Sequence, residues 1–174
     1  TESKVYFGPS FFHKTDYARR ILAVRERIPS LSCVVIVGGE KPEGNGVLAF
    51  TEIMDQADTE KQEIRRTGED LALILCTSGT TSGTKGVLLT HNNIRYSEEV
   101  FTRELGLTSE DIMFMPAPLN HATGFHHGLI APMLIGAKVV LQQKYRCREA
   151  IDLMNRERCT FSMGATPFIY DILR

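Results

Sequence analysis

Short apolar runs alternate with stretches of helical period along the whole chain, and this alternation constrains the fold more than any other feature. "KVYFG" (residues 4–8) reads as extended. Tyr17, Ile21, Val24 and Ile28 then recur at helical spacing, with Thr15 or Asp16 available as the cap. "CVVIVGG" reads as a buried strand, "EKPEGNG" as turn chemistry, and "VLAF" as a short strand leading into a helix around residues 51–57. Further on, "LALILC", "GVLLT", "DIMFMPAP", "KVVL" and "CTFSMG" read as extended pieces. Between them lie a helix from about Asn92 to Leu105, capped by Thr90 or Asn92, and a second whose face is Cys147, Ala150, Ile151 and Met154. Residues 122–135 are apolar on nearly every side, as an enclosed helix would be, and Pro132 should kink or divide it. Pro167 suits the first turn of a last helix. The expectation is an α/β fold with a largely parallel sheet flanked by helices and joined by right-handed crossovers.

Nine of the sixteen residues from 55 to 70 are charged, so this stretch adds little to a core. It divides a strand-helix-strand unit (residues 1–54) from a larger region (residues 71–174). At 43% hydrophobic and 24% charged, 174 residues can bury about two thirds of the unfolded surface. The formal charge of -1 gives no field for nucleic acid or an anionic membrane, so any anion site must be local. No run approaches the roughly 20 apolar residues of a membrane span. Cys33, Cys76, Cys147 and Cys159 form no Cys-x-x-Cys pair and read as buried thiols of a reducing compartment, the cytoplasm. No initiator methionine opens the chain and the last helix stops abruptly at Arg174, which reads as a piece of something longer.

"TSGTTSGTKG", residues 77–86, follows "LALILC" directly. Small residues after a strand let several backbone N–H groups converge, and such a concavity attracts an anion. Thr77, Ser78, Thr80, Thr81 and Thr84 add hydroxyl donors, and Lys85 adds a positive charge suited to phosphate oxygens. A Walker loop fails here, because Thr84 stands at the second glycine and Gly86 at the magnesium hydroxyl. Composition alone would also suit a solvated connection. The order of the residues decides between them.

"LILCTSGTTSGTKGVLLTHNNI" resembles the phosphate-loop signature of the adenylate-forming enzymes, Thr-Ser-Gly-Thr-Thr-Gly-x-Pro-Lys-Gly followed by an apolar run and often Thr-His-x-Asn. Thr77, Ser78, Gly79, Thr80, Thr81, Lys85 and Gly86 match, as do Thr90, His91 and Asn93, whereas Ser82 replaces a glycine and Thr84 the proline. "PAPLNHATGFHHGLIAPMLIGAKVVL" and "FSMGATPFIYDIL" resemble later segments of the same superfamily, and "HATGF" and "GATPF" look most like fatty or alicyclic acyl-CoA ligases.

The resemblance implies part of a large N-terminal domain that turns a small carboxylic acid and ATP into an acyl adenylate and then a coenzyme A thioester. Thr77, Ser78, Gly79, Thr80, Thr81 and Lys85 would hold the ATP phosphates. His121 would be the catalytic histidine near the carboxylate and α-phosphate. Asn120, which stands where many relatives have an aromatic residue, would border the acyl pocket with Gly124 and Phe125. Magnesium would find its ligands outside this chain, as would the Tyr-Gly-x-Thr-Glu segment, the ribose-binding aspartate, the hinge and the catalytic lysine, so the isolated 174 residues should be inactive. Transfer to a carrier protein and a non-catalytic anion-binding module are the competing readings.

His121, His126 and His127 lack the i, i+4 spacing of a helical metal pair, and adjacent histidines on a helix point apart, so no zinc site is expected. His126, His127, His13 and His91 read as structural. Glu98 and Glu99, with Arg95 and Arg103, read as the wet face of a helix.

Overall fold

In a computed structural model that describes residues 2–56, 63–77 and 85–174, the alternation is realised as two α/β units, Thr1–Glu63 and Ile64–Arg174. The first holds β1 (Val5–Pro9), β2 (Phe11–Phe12), β3 (Thr15–Asp16), α1 (Tyr17–Arg25), β4 (Cys33–Val37), β5 (Val47–Ala49) and α2 (Phe50–Asp55). β1, β4 and β5 form a parallel sheet in that order, which puts β4 in the middle. Its Val34, Val35 and Ile36 are accordingly buried. Asp16 caps α1 by accepting the Arg19 N–H at 2.8 Å, and the helix lays Ala18, Ile21 and Leu22 against Val34, Ile36 and Val47. At the other end of α1 the Arg25 guanidinium donates to the carbonyls of Leu31, Ser32 and Asn45, fastening the helix to the loops that flank β4 and β5.

The second unit begins with β6 (Leu71–Thr77) and β7 (Lys85–Thr90), continues through α3 (His91–Glu104), β8 (Ile112–Met115) and α4 (Ala122–Phe125), and passes by a π-helical turn (His126–Ile130) into α5 (Ala131–Ile135). β9 (Lys138–Leu141), α6 (Cys147–Glu157), β10 (Phe161–Ser162) and α7 (Thr166–Leu173) complete it. β10, β8 and β9 form a second parallel sheet with β8 central. Strand alternation sends Met113 and Met115 to one face and Phe114 to the other. Phe101 of α3 packs on the methionine face, while Ala150, Leu153 and Met154 of α6 cover Phe114.

The expected parallel architecture is thus met by two three-stranded sheets, each flanked by helices. Two local expectations are corrected and a third is met. β6 and β7 form an antiparallel pair, and β6 is largely exposed because, among the described residues, β7 is its only strand partner. The cysteines are free thiols, but Cys76 lies exposed on that open strand and the other three are half-buried. The apolar helix of residues 122–135 is divided, as Pro132 demands, with the division spread over a whole turn. Pro132 has no N–H to give, and just before it the ladder widens so that the Ala131 N–H reaches back five residues to the His126 carbonyl.

Candidate functional site

The hairpin closes with Thr77 directly opposite Lys85, and the Thr77 hydroxyl makes a long contact of 3.5 Å to the Lys85 carbonyl. Ser78, Gly79, Thr80 and Thr81 lie outside the described residues. The strands therefore bring the first and last phosphate-loop positions together with the lysine exposed at the tip. The base is fastened to α3: Asn92 N–H donates to the Gly68 carbonyl, His91 N–H to the Asp70 carbonyl, and the Asn92 amide to the Glu69 carboxylate at 2.6 Å. Thr90 caps the same helix, accepting from Asn93 N–H at 3.2 Å while the Asn93 side chain accepts the Thr90 N–H.

A cleft of about 800 Å3 runs between the hairpin and the start of α4. Residues 73–77 of β6, with Val87 and Leu89 of β7, form one wall; residues 119–122 and Phe125 form the other. One wall is mostly apolar, and the other places an amide, an imidazole and a phenyl ring along its length. Thr77, Asn120, His121 and Phe125 thus share one cavity. Lys85 pairs with Thr77 across the hairpin and is not among the residues that line the cleft.

His121 owes its position to helix capping. It is the residue before α4, and its Nδ1 accepts the Thr123 N–H at 3.3 Å. In the neutral ring that bond requires the hydrogen on Nε2, so the free edge of the imidazole is a hydrogen-bond donor. Gly124 is buried away from the cleft wall. A Cβ there would overlap the Pro118 carbonyl oxygen and stand 2.9 Å from that of Ala117, so the helix approaches the chain leaving β8 more closely than any side chain permits. Gly128, one turn on, lies against the Met115 side chain rather than against backbone.

The sequence reading missed Glu98. Its charged neighbours in sequence suggest the wet face of α3, yet the side chain is 0% exposed. Its Oε1 accepts from His126 Nδ1 at 3.1 Å and its Oε2 from His127 Nδ1 at 2.9 Å. Two neighbouring histidines reach one carboxylate because the π-turn rotates less per residue than an α-helix does, and because a carboxylate offers two separate acceptors. Burial alone would push the Glu98 carboxyl up, but the hydrogen bonds and charges of His127 and His126 outweigh it and hold the group below its usual range. The signal was available in the spacing: Ile94, Glu98 and Thr102 are the buried residues of α3, at i, i+4 and i+8. Arg95 and Glu99, 3.5 Å apart, do form the solvent face that was expected.

Among the described residues no group of three or more His, Cys, Asp or Glu is arranged to hold a metal, and no helix is long and apolar enough to cross a membrane.

The family described as AMP-binding enzyme matches residues 1–174. The medium-chain fatty-acid–CoA ligase of Escherichia coli (strain K12) is 41% identical over 172 residues, covering 99% of this chain and 30% of that protein. The anthranilate CoA ligase AuaEII in complex with anthranoyl-AMP has the same fold, with a TM-score of 0.78 at 23% identity over 94% of this chain and 31% of its own. The o-succinylbenzoate coenzyme A synthetase MenE from Bacillus subtilis, in complex with ATP and magnesium ion, gives a TM-score of 0.70 at 22% identity over 88% of this chain and 33% of its own. The chain spans about a third of the length of these proteins. With its whole length matched and an acyl-CoA ligase at this level of identity, the chain belongs to the AMP-binding enzyme family.

Proposed function

We propose that this chain is the ATP-phosphate and acid-binding part of an acyl-CoA ligase. In the reaction envisaged, a carboxylate oxygen attacks the α-phosphorus of ATP, the bond to the bridging oxygen breaks, and acyl adenylate and pyrophosphate result. The thiol of coenzyme A then displaces AMP. The observation that carries this reading is the single cleft shared by Thr77 at the hairpin tip and by Asn120, His121 and Phe125. An anion held at the tip and an acid lying along the apolar wall would meet beside His121.

Each residue has a role that its chemistry suits. Lys85, with Thr77 and the loop residues Ser78, Gly79, Thr80 and Thr81, holds the β- and γ-phosphates as charge builds on the leaving pyrophosphate. His121 donates from Nε2 to an oxygen of the acid or of the α-phosphate, fixing the attacking geometry. Phe125 and Asn120 border the acyl group, and Gly124 lets the helix that carries Phe125 close on Pro118. Magnesium supplies charge neutralisation at the phosphates when bound, and none of the described residues is assigned to it. We read residues 55–70 as the connection between the two units, coenzyme A rather than a carrier protein as the acceptor, and the cytoplasm as the compartment. The free thiols suit a reducing setting, and the Escherichia coli relative is a CoA ligase.

The test is acid-dependent exchange of pyrophosphate into ATP by the full-length protein, with short, medium, alicyclic and aromatic acids. Lys85→Ala should slow exchange by about tenfold to a hundredfold, the worth of one charge-assisted hydrogen bond to phosphate, with unfolding unchanged because the side chain is exposed. Undiminished exchange removes the lysine from its role, and no exchange with any acid removes the ligase reading.

A further inference from the structure

Glu98 is a buried carboxylate with two unlike arms. His127 leads inward: its ring stacks on Phe101 at 4.1 Å between centroids, and Phe101 meets Phe161 edge-on at 6.1 Å, within the cluster around Met113 and Met115. His126 leads outward: its ring meets Phe125 edge-on at 5.5 Å and 83°, and Phe125 is part of the cleft wall. The inner arm joins the π-turn to the core, and the outer arm joins it to the space that the acid would fill.

We propose that Glu98 and His126 are positioning residues that hold the Phe125 ring in the cleft wall and so set which acids fit. The carboxylate accepts Nδ1–H from both rings and thereby fixes their tautomer and their planes. With His126 fixed, the Phe125 ring is braced on one side, because edge-to-face aromatic pairs have a preferred geometry. The brace originates on α3, which follows β7 directly and is fastened to the base of the hairpin through Asn92. One carboxylate therefore ties the acid side of the cleft to the element that carries Lys85.

The inference rests on the ligase reading for the word acid, and two measurements separate their failures. The first is the exchange assay on the full-length protein with carboxylic acids of graded length and bulk. His126→Asn keeps an N–H for Glu98 and removes the ring, and Glu98→Gln keeps the shape and removes one of the two acceptors. Each should change KM for the acid by about tenfold and shift the preferred acid, while KM for ATP and kcat move less than about twofold. His127→Asn should lower the unfolding midpoint and leave acid preference as it was. The second measurement needs no turnover: 4-fluorophenylalanine at position 125, read by fluorine NMR. Its resonance should shift or broaden with His126→Asn and Glu98→Gln, and stay in place with His127→Asn. Equal loss for every acid together with an unmoved fluorine signal would overturn the proposal. A fluorine signal that responds equally to all three variants would overturn the division into arms. If no acid supports exchange in the wild type, the ligase reading and the acid selection fall together, and the fluorine signal alone judges the brace.

Discussion

β6 and β8 are both short apolar strands of the second unit, and they meet opposite fates. In β8 Met113, Phe114 and Met115 are no more than 2% exposed, because β9 and β10 flank the strand and helices cover both faces. On the β6–β7 hairpin Leu71 is 53% exposed, Val87 43% and Leu88 64%. An apolar run therefore announces a strand, and its neighbours decide whether it is core. β8 spends its side chains on cohesion; the hairpin keeps a wall free to line a cleft. A two-stranded ribbon is marginal by itself, which gives the bonds from residues 68–70 to the start of α3 their importance.

The contrast can be tested by substitutions on the covered and on the open side. Phe114→Ala, which empties a fully buried site between β8 and α6, should cost about 3–5 kcal/mol in denaturant unfolding. A loss near that of a surface substitution would mean that the covering of β8 is loose. An intermediate effect belongs to Glu98, the one carboxylate among the described residues buried on the covered side. Glu98→Gln should cost about 1–3 kcal/mol at neutral pH, the worth of buried hydrogen bonds to a charged group. Because the folded state holds this carboxyl below its ordinary value of 4.5, the stabilisation is present above that value and is lost as pH falls through the folded one. The gap between wild type and variant should therefore narrow on acidification below about pH 4.5. A gap that widens in acid would reverse the assigned direction. Smallest of all, Leu88→Ser on the open hairpin should change stability by within about 0.5 kcal/mol. A cost comparable to that of Phe114→Ala would show that the hairpin is covered in solution.

Much of this was legible because it rests on local chemistry. Helix α1 begins where Asp16 can cap it, α3 where Thr90 and Asn93 can cap each other, and α7 beside Pro167. The extended pieces on either side of the hydroxyl-rich stretch were legible as strands β6 and β7, although their antiparallel pairing was not. What escaped depends on long-range contact. Glu98 looked like a solvent-facing charge because charges surround it in sequence, and only the arrival of His126 and His127, nearly thirty residues on, makes its burial tolerable. The π-turn escaped for a related reason: Pro132 predicts a fault in the helix, while packing on Met115 and Glu98 decides how the fault is absorbed.

Gly124 carries a last consequence. Backbone there presses on backbone, against Pro118, so the helix that carries Phe125 already lies as near to the chain leaving β8 as it can come. A single methyl group added at that glycine would push the helix away and carry the Phe125 ring with it, altering the cleft from a position that does not line it.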